Sequence, residues 1–393
     1  MGLRLGSTKI PGITLYEESK VYPKGLVNID ANVSSTFNVT NYAFAKVTSI
    51  PEPVDYFAQY ATDTLVSYSN SNVTSLPSYA FYSRSNLKEV NFPNCTSIGD
   101  NAFQICSALE TVSFPACKSI GQYAFASCYS LSIANFPVCT SVGNSAFISC
   151  SSLITASFPA CTSIGASAFA YCSSLTTASF PACTSIGSYA FSGCRSLITT
   201  SFPNCKSIGG YAFRNCSSLT TANFPSCTRI GPSAFASCSA LSTANFPVCT
   251  SISSYAFYMC NSLTSINFPA CTSISGYTFQ YCGSLTTANF PVCTSIGEHA
   301  FQFCTSLLSA DFPVCTTISV YAFIYCYNLL SLYLTGSSLC SLANVNAFTS
   351  TPISNYTAST GGVYGSIYVP ASLLASYQTA TNWVNLSSRF VGV

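Results

Sequence analysis

Apolar residues recur along this chain in one fixed order. From Leu175 onward they fall at Leu175, Ala178, Phe180, Cys183, Ile186, Ala190, Phe191 and Cys194, separated by Ser, Thr, Gly and Pro. Phe-Pro pairs mark the repetition at Phe92, Phe114, Phe136, Phe158, Phe180, Phe202, Phe224, Phe246, Phe268, Phe290 and Phe312, each step 22 residues with no insertion. A fixed period of this size predicts a solenoid and overrides local guesses about helix and strand. One unit cannot bury its apolar side alone, but stacked units share a continuous interior.

Each unit separates into two parts. Leu175 to Phe180 is rich in Thr and Ser with an aromatic, which predicts a short strand; Pro181 ends it because it has no N–H for a neighbouring strand. Ser185 to Cys194 predicts one helical or 3-10 turn that brings Ala190, Phe191 and Cys194 back to the interior. The expected fold is therefore a right-handed repeat solenoid with short parallel β-strands on one face and turns or short helical segments on the other. Counting back by whole periods makes residues 65–86 a worn repeat, in which Val73 and Arg84 replace cysteines. Regular repeats run over 87–328. Phe348 follows Phe323 by 25 residues, so the register breaks within 329–350. Residues 351–393 read as a C-terminal cap, with a short helix over Ala371 to Thr379 and Trp383 sealing the last turn. Residues 1–50 alternate apolar and polar positions with turn signals, as a small β module would, and 51–64 form a linker.

The run L-x-x-A-x-F-x-x-C-x-x-I from Leu175 to Ile186 resembles a leucine-rich repeat with cysteine in its ladder position. The half-unit "SIGSYAFSGCRSL" is similar to the BspA-like leucine-rich repeats, over about residues 65–350, although these units are one residue shorter than usual. The resemblance implies a solenoid that acts through its surfaces. The segment "GLVNIDANVSSTFNVTNYAFAKVTSI" more loosely resembles part of tail-associated proteins from phages and prophages of gut Firmicutes.

Cysteine is the most regular feature. Two columns offset by eleven residues include Cys161, Cys172, Cys183, Cys194, Cys205 and Cys216, and Cys340 stands outside both, for a total of 23. Disulfides within a unit would have to join thiols at opposite ends of a strand, and neighbours in one column should run parallel rather than converge. Zinc spacings are absent, since there is no C-x-x-C and His299 is the sole histidine. Packing is the favoured reading, with free cysteine acting as a small buried hydrophobe.

Charge narrows the chemistry. Charged residues make up 6% of the chain and the formal net charge is +2, against about a quarter charged in ordinary proteins. This excludes the phosphate neutralisation that nucleic-acid binding needs, and apolar runs are too short for membrane insertion. The amino terminus lacks an apolar signal-like run, so no export signal is expected. Glu89, Asp100, Glu110, Glu298 and Asp311 never fall on matching positions of adjacent repeats, which leaves paired-carboxylate catalysis without a home. His299 reads as an exposed turn residue, and glycines such as Gly165 and Gly209 as bends. No phosphate loop occurs. No enzyme activity and no cofactor or metal are expected.

Function is left to the surfaces. Thr155, Thr177, Thr199, Thr221, Thr243 and Thr287 form one outward column of the predicted strands, and Ser179, Ser201, Asn223, Asn245, Asn267 and Asn289 its partner. Such a face suits weak, multivalent hydrogen bonding to a regular glycan or polymer; a flat ice-binding array is a remote alternative. Tyr189, Tyr211, Tyr255, Tyr277, Tyr281, Tyr321 and Tyr325 lie on another surface, as core shielding or as a contact surface for proteins or sugars. The main expectation is a non-catalytic adhesion protein of a phage or prophage tail. It would bind a host cell-surface glycan or protein, with residues 1–64 held by other tail or virion proteins. The alternative is a BspA-like cell-surface or extracellular adhesin, or a purely structural repeat protein. Homo-oligomerisation stays open.

Overall fold

The computed structural model describes residues 65–355, 359 and 361–393, together with an antiparallel pairing of Tyr16–Glu17 with Lys20–Val21. The β module and linker expected over 1–64 otherwise lie outside the described residues. The chain divides into two compact units, Met1–Pro181 and Ala182–Val393.

Both units are parallel-strand solenoids with a 22-residue coil. In the first, Thr155–Ser157 pairs in parallel with Ile133–Asn135 and with Thr177–Ser179, so that Thr155 faces Thr177 and Ser157 faces Ser179. In the second, Thr243–Asn245 pairs with Thr221–Asn223 and Ser265–Asn267 in the same register. The middle residue of most strands, such as Ala156 or Ala244, is fully buried, with Val112, Thr200 and Ile266 half-buried, while its neighbours point outward by strand alternation.

Each coil has a second strand that the sequence reading missed. Ser163–Ile164 pairs with Ser141–Val142, and Ser273–Ile274 pairs with Ser251–Ile252 and Ser295–Ile296. The isoleucines of these two-residue strands are buried. The expected helical turn is absent from the repeats. Cys194 N donates to Phe191 O at 3.2 Å, and Ser192 N to Tyr189 O at 3.0 Å, as in turns. Yet Tyr189, Phe191 and Gly193 also donate to Gly210, Ala212 and Arg214 of the next coil at 2.7–2.9 Å. Positive φ at Tyr189 (59°) and Gly193 (77°) breaks any helix and aims these N–H groups along the stack.

The interior is built from columns. Phe103, Phe125, Phe147 and Phe169 stack at 5.0–5.1 Å, and Phe147 meets Phe158 of the second column edge-to-face at 5.9 Å. The second unit repeats this, with Phe213, Phe235 and Phe257 at 5.1–5.3 Å. All 23 cysteines are free and buried. First-column thiols donate to a carbonyl two residues on, as Cys161 does to Ser163 at 3.1 Å. Second-column thiols donate to the preceding coil, as Cys172 does to Phe147 O at 3.1 Å. Cysteine thus fills a small apolar seat while its weak donor serves a buried carbonyl.

The recurrent glycines do not act as bends. Gly165 and Gly209 lack positive φ, and an added Cβ at Gly165 would lie 2.6 Å from Asn144 N. They permit close approach between coils.

The register break is absorbed locally. Phe348 still stacks on Phe323 at 5.6 Å, and the extra residues lie in the loops on either side of Ser341–Leu342. Leu339 is turned out, and Cys340 takes the buried seat instead, its sulfur 3.7 Å from that of Cys315. A cavity of about 90 Å³ lined by Pro313, Val314, Cys315, Thr316, Gly336, Ser337 and Ser338 marks the insertion. Ser366–Val369 then pairs with Ser331–Tyr333, and Phe390–Gly392 pairs with Ser366–Val369. A 3-10 turn over Ala371–Leu373 leads into an α-helix over Leu374–Thr379. Trp383 is buried, and its indole N–H donates to Cys340 O at 2.7 Å.

Candidate recognition surfaces

The long strands present the two predicted columns. Thr177, Thr199, Thr221, Thr287, Ser179, Ser201, Asn223, Asn267 and Asn289 are exposed, whereas Thr155, Thr243 and Asn245 are half-buried. Part of this polarity is already spent. Asn245 Nδ2 donates to Asn223 Oδ1 at 2.8 Å, and Asn267 Nδ2 to Asn245 Oδ1 at 2.7 Å. The three amides form a ladder along the stack, which fixes their orientation and leaves the threonine hydroxyls outside it. Asn289 continues the column opposite Asp311, where partial burial raises the carboxyl's pKa.

A second threonine column runs beside the short strands. Thr140, Thr162, Thr228, Thr250, Thr272, Thr294 and Thr316 are exposed, and each hydroxyl donates to a carbonyl of the preceding coil at 2.9–3.4 Å. The sequence did carry this signal in its repeated Cys-Thr-Ser-Ile. Its threonine falls between the strand predicted to end at Pro181 and the helical turn expected from Ser185, so no strand is expected beside it. With the hydroxyl hydrogens directed at backbone, this column shows methyl groups and acceptor lone pairs.

The aromatics occupy two positions of the turn segment, and both are left-handed. Tyr189, Tyr211, Tyr255, Tyr277, Tyr281, Tyr321 and Tyr325 all have φ between 58° and 63°. In the second unit Tyr189 and Tyr211 stack as a pair at 4.6 Å, and the others stack in two runs. Tyr255, Tyr277, His299 and Tyr321 follow one another at 4.6, 4.8 and 4.9 Å, and Tyr281, Phe303 and Tyr325 at 4.8 and 4.5 Å. Stacking uses the ring faces, so these runs offer edges and hydroxyls outward. Only a ring with a vacant neighbouring rung keeps a face for a ligand. His299, expected as an exposed turn residue, is instead a rung, with its Nε2 3.3 Å from Glu298.

Among the described residues no group of three or more His, Cys, Asp or Glu is placed to hold a metal ion. Burial pushes the Cys227, Cys271 and Cys293 thiols up to about 12 and Cys249 to about 11, far from the thiolate that a nucleophile needs. No described helix is long and apolar enough to cross a membrane.

Comparison with known proteins agrees with the repeat geometry. The BspA type leucine rich repeat region (six copies) matches residues 55–176, 162–270 and 250–361. No curated protein matches the chain. A leucine-rich repeat protein from Bacteroides ovatus is similar in structure, with 22% identity over 90% of this chain and 98% of that one and a TM-score of 0.59; the likeness is one of fold. A leucine rich cell surface protein from Faecalibacterium prausnitzii shows 25% identity over 84% of this chain and 87% of that one, with a TM-score of 0.43.

Proposed function

The chain belongs to the BspA-type leucine-rich repeat family, and from that premise we propose that it is a non-catalytic recognition or adhesion protein acting at a cell surface or outside the cell. The observation that carries this reading is the long-strand face, where exposed hydroxyls and amides recur in register once per coil. Such an array contacts a partner that itself repeats, by many weak bonds whose joint strength exceeds any one of them. A surface glycan or polymer fits that description. A protein partner would be expected to need large anchors, and from Thr155–Ser157 to Thr287–Asn289 the outward strand positions carry only Thr, Ser and Asn.

The tail-attached or virion-borne reading rests on residues 1–50, which apart from the Tyr16–Glu17 and Lys20–Val21 pairing lie outside the described residues. Neither the family match, which begins at residue 55, nor the structural likeness supports it. The cell-surface adhesin alternative is the one retained. Ice binding loses ground too, because the amide ladder replaces the second threonine rank with side chains that bond to one another.

Whole-cell and glycan-array binding of the wild type and of a Thr177→Lys, Thr199→Lys, Thr221→Lys variant tests the proposal. These positions are exposed, so the variant should fold with its thiols still buried and lose at least about tenfold in binding. Unchanged binding would remove the long-strand face from the reading.

A further inference from the structure

One thiol in this chain is not fully covered. Cys315 keeps 4% exposure, while every other cysteine is at 0%. It lines the cavity of about 90 Å³ beside the register break, whose rim residues Val314, Thr316, Ser337 and Ser338 are exposed. One water needs about 10–15 Å³ of such space, so small polar molecules reach this sulfur from solvent.

Its neighbour Cys340 is also unlike the other thiols. Regular first-column thiols donate to a carbonyl two residues on at 3.1–3.3 Å. Cys340 reaches Ser341 O only at 3.7 Å, and its sulfur lies 3.7 Å from that of Cys315. The cap grips its backbone instead. Cys340 N donates to the Tyr377 hydroxyl at 2.9 Å, and Cys340 O accepts from the Trp383 indole at 2.7 Å. The main chain is thus fixed while the sulfur is weakly held.

The offset between the two residues suits a bond between them. Thr317 pairs with Ser341, so Cys340 lies one residue out of line with Cys315. Chains about 4.8 Å apart, with a rise of about 3.3 Å per residue, put the two Cα atoms about 6 Å apart, within the span of a disulfide. In the regular columns the thiols are in line, as Cys139 and Cys161 are where Ser141 pairs with Ser163, and a bond would have to join parallel side chains.

Acidity singles out the sulfur that reacts first. The Cys340 S–H donates to Cys315, which holds the Cys315 thiol below its ordinary 9.0 despite burial. Cys117 lowers Cys139 in the same way, but both of those are fully covered and both already donate to carbonyls at 3.2 Å. Access, acidity and a resolving thiol coincide at Cys315 and Cys340.

We propose that Cys315 and Cys340 are a peroxide-sensitive pair that closes into a disulfide and fastens the C-terminal cap to the last regular coil. The Cys315 thiolate attacks one oxygen of hydrogen peroxide and the O–O bond breaks. Sulfenic acid forms at Cys315, and the leaving hydroxide takes up the thiol proton as water. The Cys340 sulfur then attacks the Cys315 sulfur, the S–O bond breaks, and the hydroxyl leaves with the Cys340 proton as a second water. Two electrons pass from two thiols to one peroxide. This goes beyond the recognition reading and stands whether or not the surfaces bind a partner.

Peptide mass mapping of the full folded chain, after hydrogen peroxide and then alkylation in denaturant, tests it. The wild type should lose two hydrogens as a single Cys315–Cys340 link, with the other 21 of the 23 thiols alkylated. Cys315 should react at least about tenfold faster than any of those, the size of one unit of thiol acidity. Met259, 38% exposed, reports the peroxide dose by its own sulfoxide. Cys340→Ser should instead gain oxygen at Cys315, and Cys315→Ser should leave Cys340 a thiol. Sulfoxide at Met259 with both thiols intact in the wild type, a link within a regular column such as Cys117–Cys139, or oxidation spread evenly over the cysteines would each overturn the proposal.

Discussion

The two units share an interior and differ at their aromatic edge. In the first, the left-handed positions carry Asn101, Tyr123, Ser145 and Ser167, or Ile105, Ser127, Ser149 and Tyr171; in the second, tyrosine, histidine and phenylalanine dominate. The backbone angles are nonetheless alike, φ lying between 53° and 64° at every one of these positions in both units except Gly193. Serine and tyrosine have no common preference for this region, and it is unfavourable for both by about 1–2 kcal/mol. The coil imposes the conformation, through inter-coil hydrogen bonds and the fixed seats of Phe and Cys beside it. What the side chain does outside is then free to vary, which is where recognition can be written.

The sharpest test of that shared interior is alkali. At Cys106, Cys227 and Cys249 the neutral thiol is stabilised in the folded state, since burial raises each above 9.0. Their contribution is complete below pH 9 and is lost as pH rises through about 11 for Cys249 and about 12 for Cys106 and Cys227. Each such thiol removes about 1.4 kcal/mol per pH unit in that window. Circular dichroism from pH 8 upward should show both units lost together, and hydrogen exchange should localise the loss. Survival of one unit beyond the other would break the equivalence.

Single core truncations come next. Phe147→Ala and Phe257→Ala remove one ring from equivalent columns and should each cost about 3–5 kcal/mol in denaturant unfolding. Costs differing by more than experimental scatter would show that the two interiors are not interchangeable. The smallest expected effect is at the edge itself. Tyr277→Ser should lose about 0.5–1.5 kcal/mol of stacking, and Ser145→Tyr, which sets a ring beside Tyr123, should gain a similar amount. If Ser145→Tyr destabilises instead, the first unit's edge is closed to aromatics for a reason other than history.

Much of this fold was legible because the period supplies register directly. Once Ile133, Thr155 and Thr177 are known to be one coil apart, their shared column follows from strand alternation. The short strands were not legible, because two residues such as Ser163–Ile164 carry no local signal; their pairing is a product of stacking. The left-handed positions left only faint traces, in Gly193, Asn101 and Asn215 standing where other coils have tyrosine or serine. Hydrogen bonds that spend the Thr140 and Asn245 side chains depend on side-chain orientation between coils, which composition does not encode.

Because every regular coil over 87–328 closes on the same phenylalanine and thiol seats, an in-frame gain or loss of one whole repeat there would still yield a sealed chain. The number of coils is thereby decoupled from stability per coil. A lineage carrying such a protein could lengthen or shorten its reach by recombination between near-identical repeats without first passing through a misfolded ancestor.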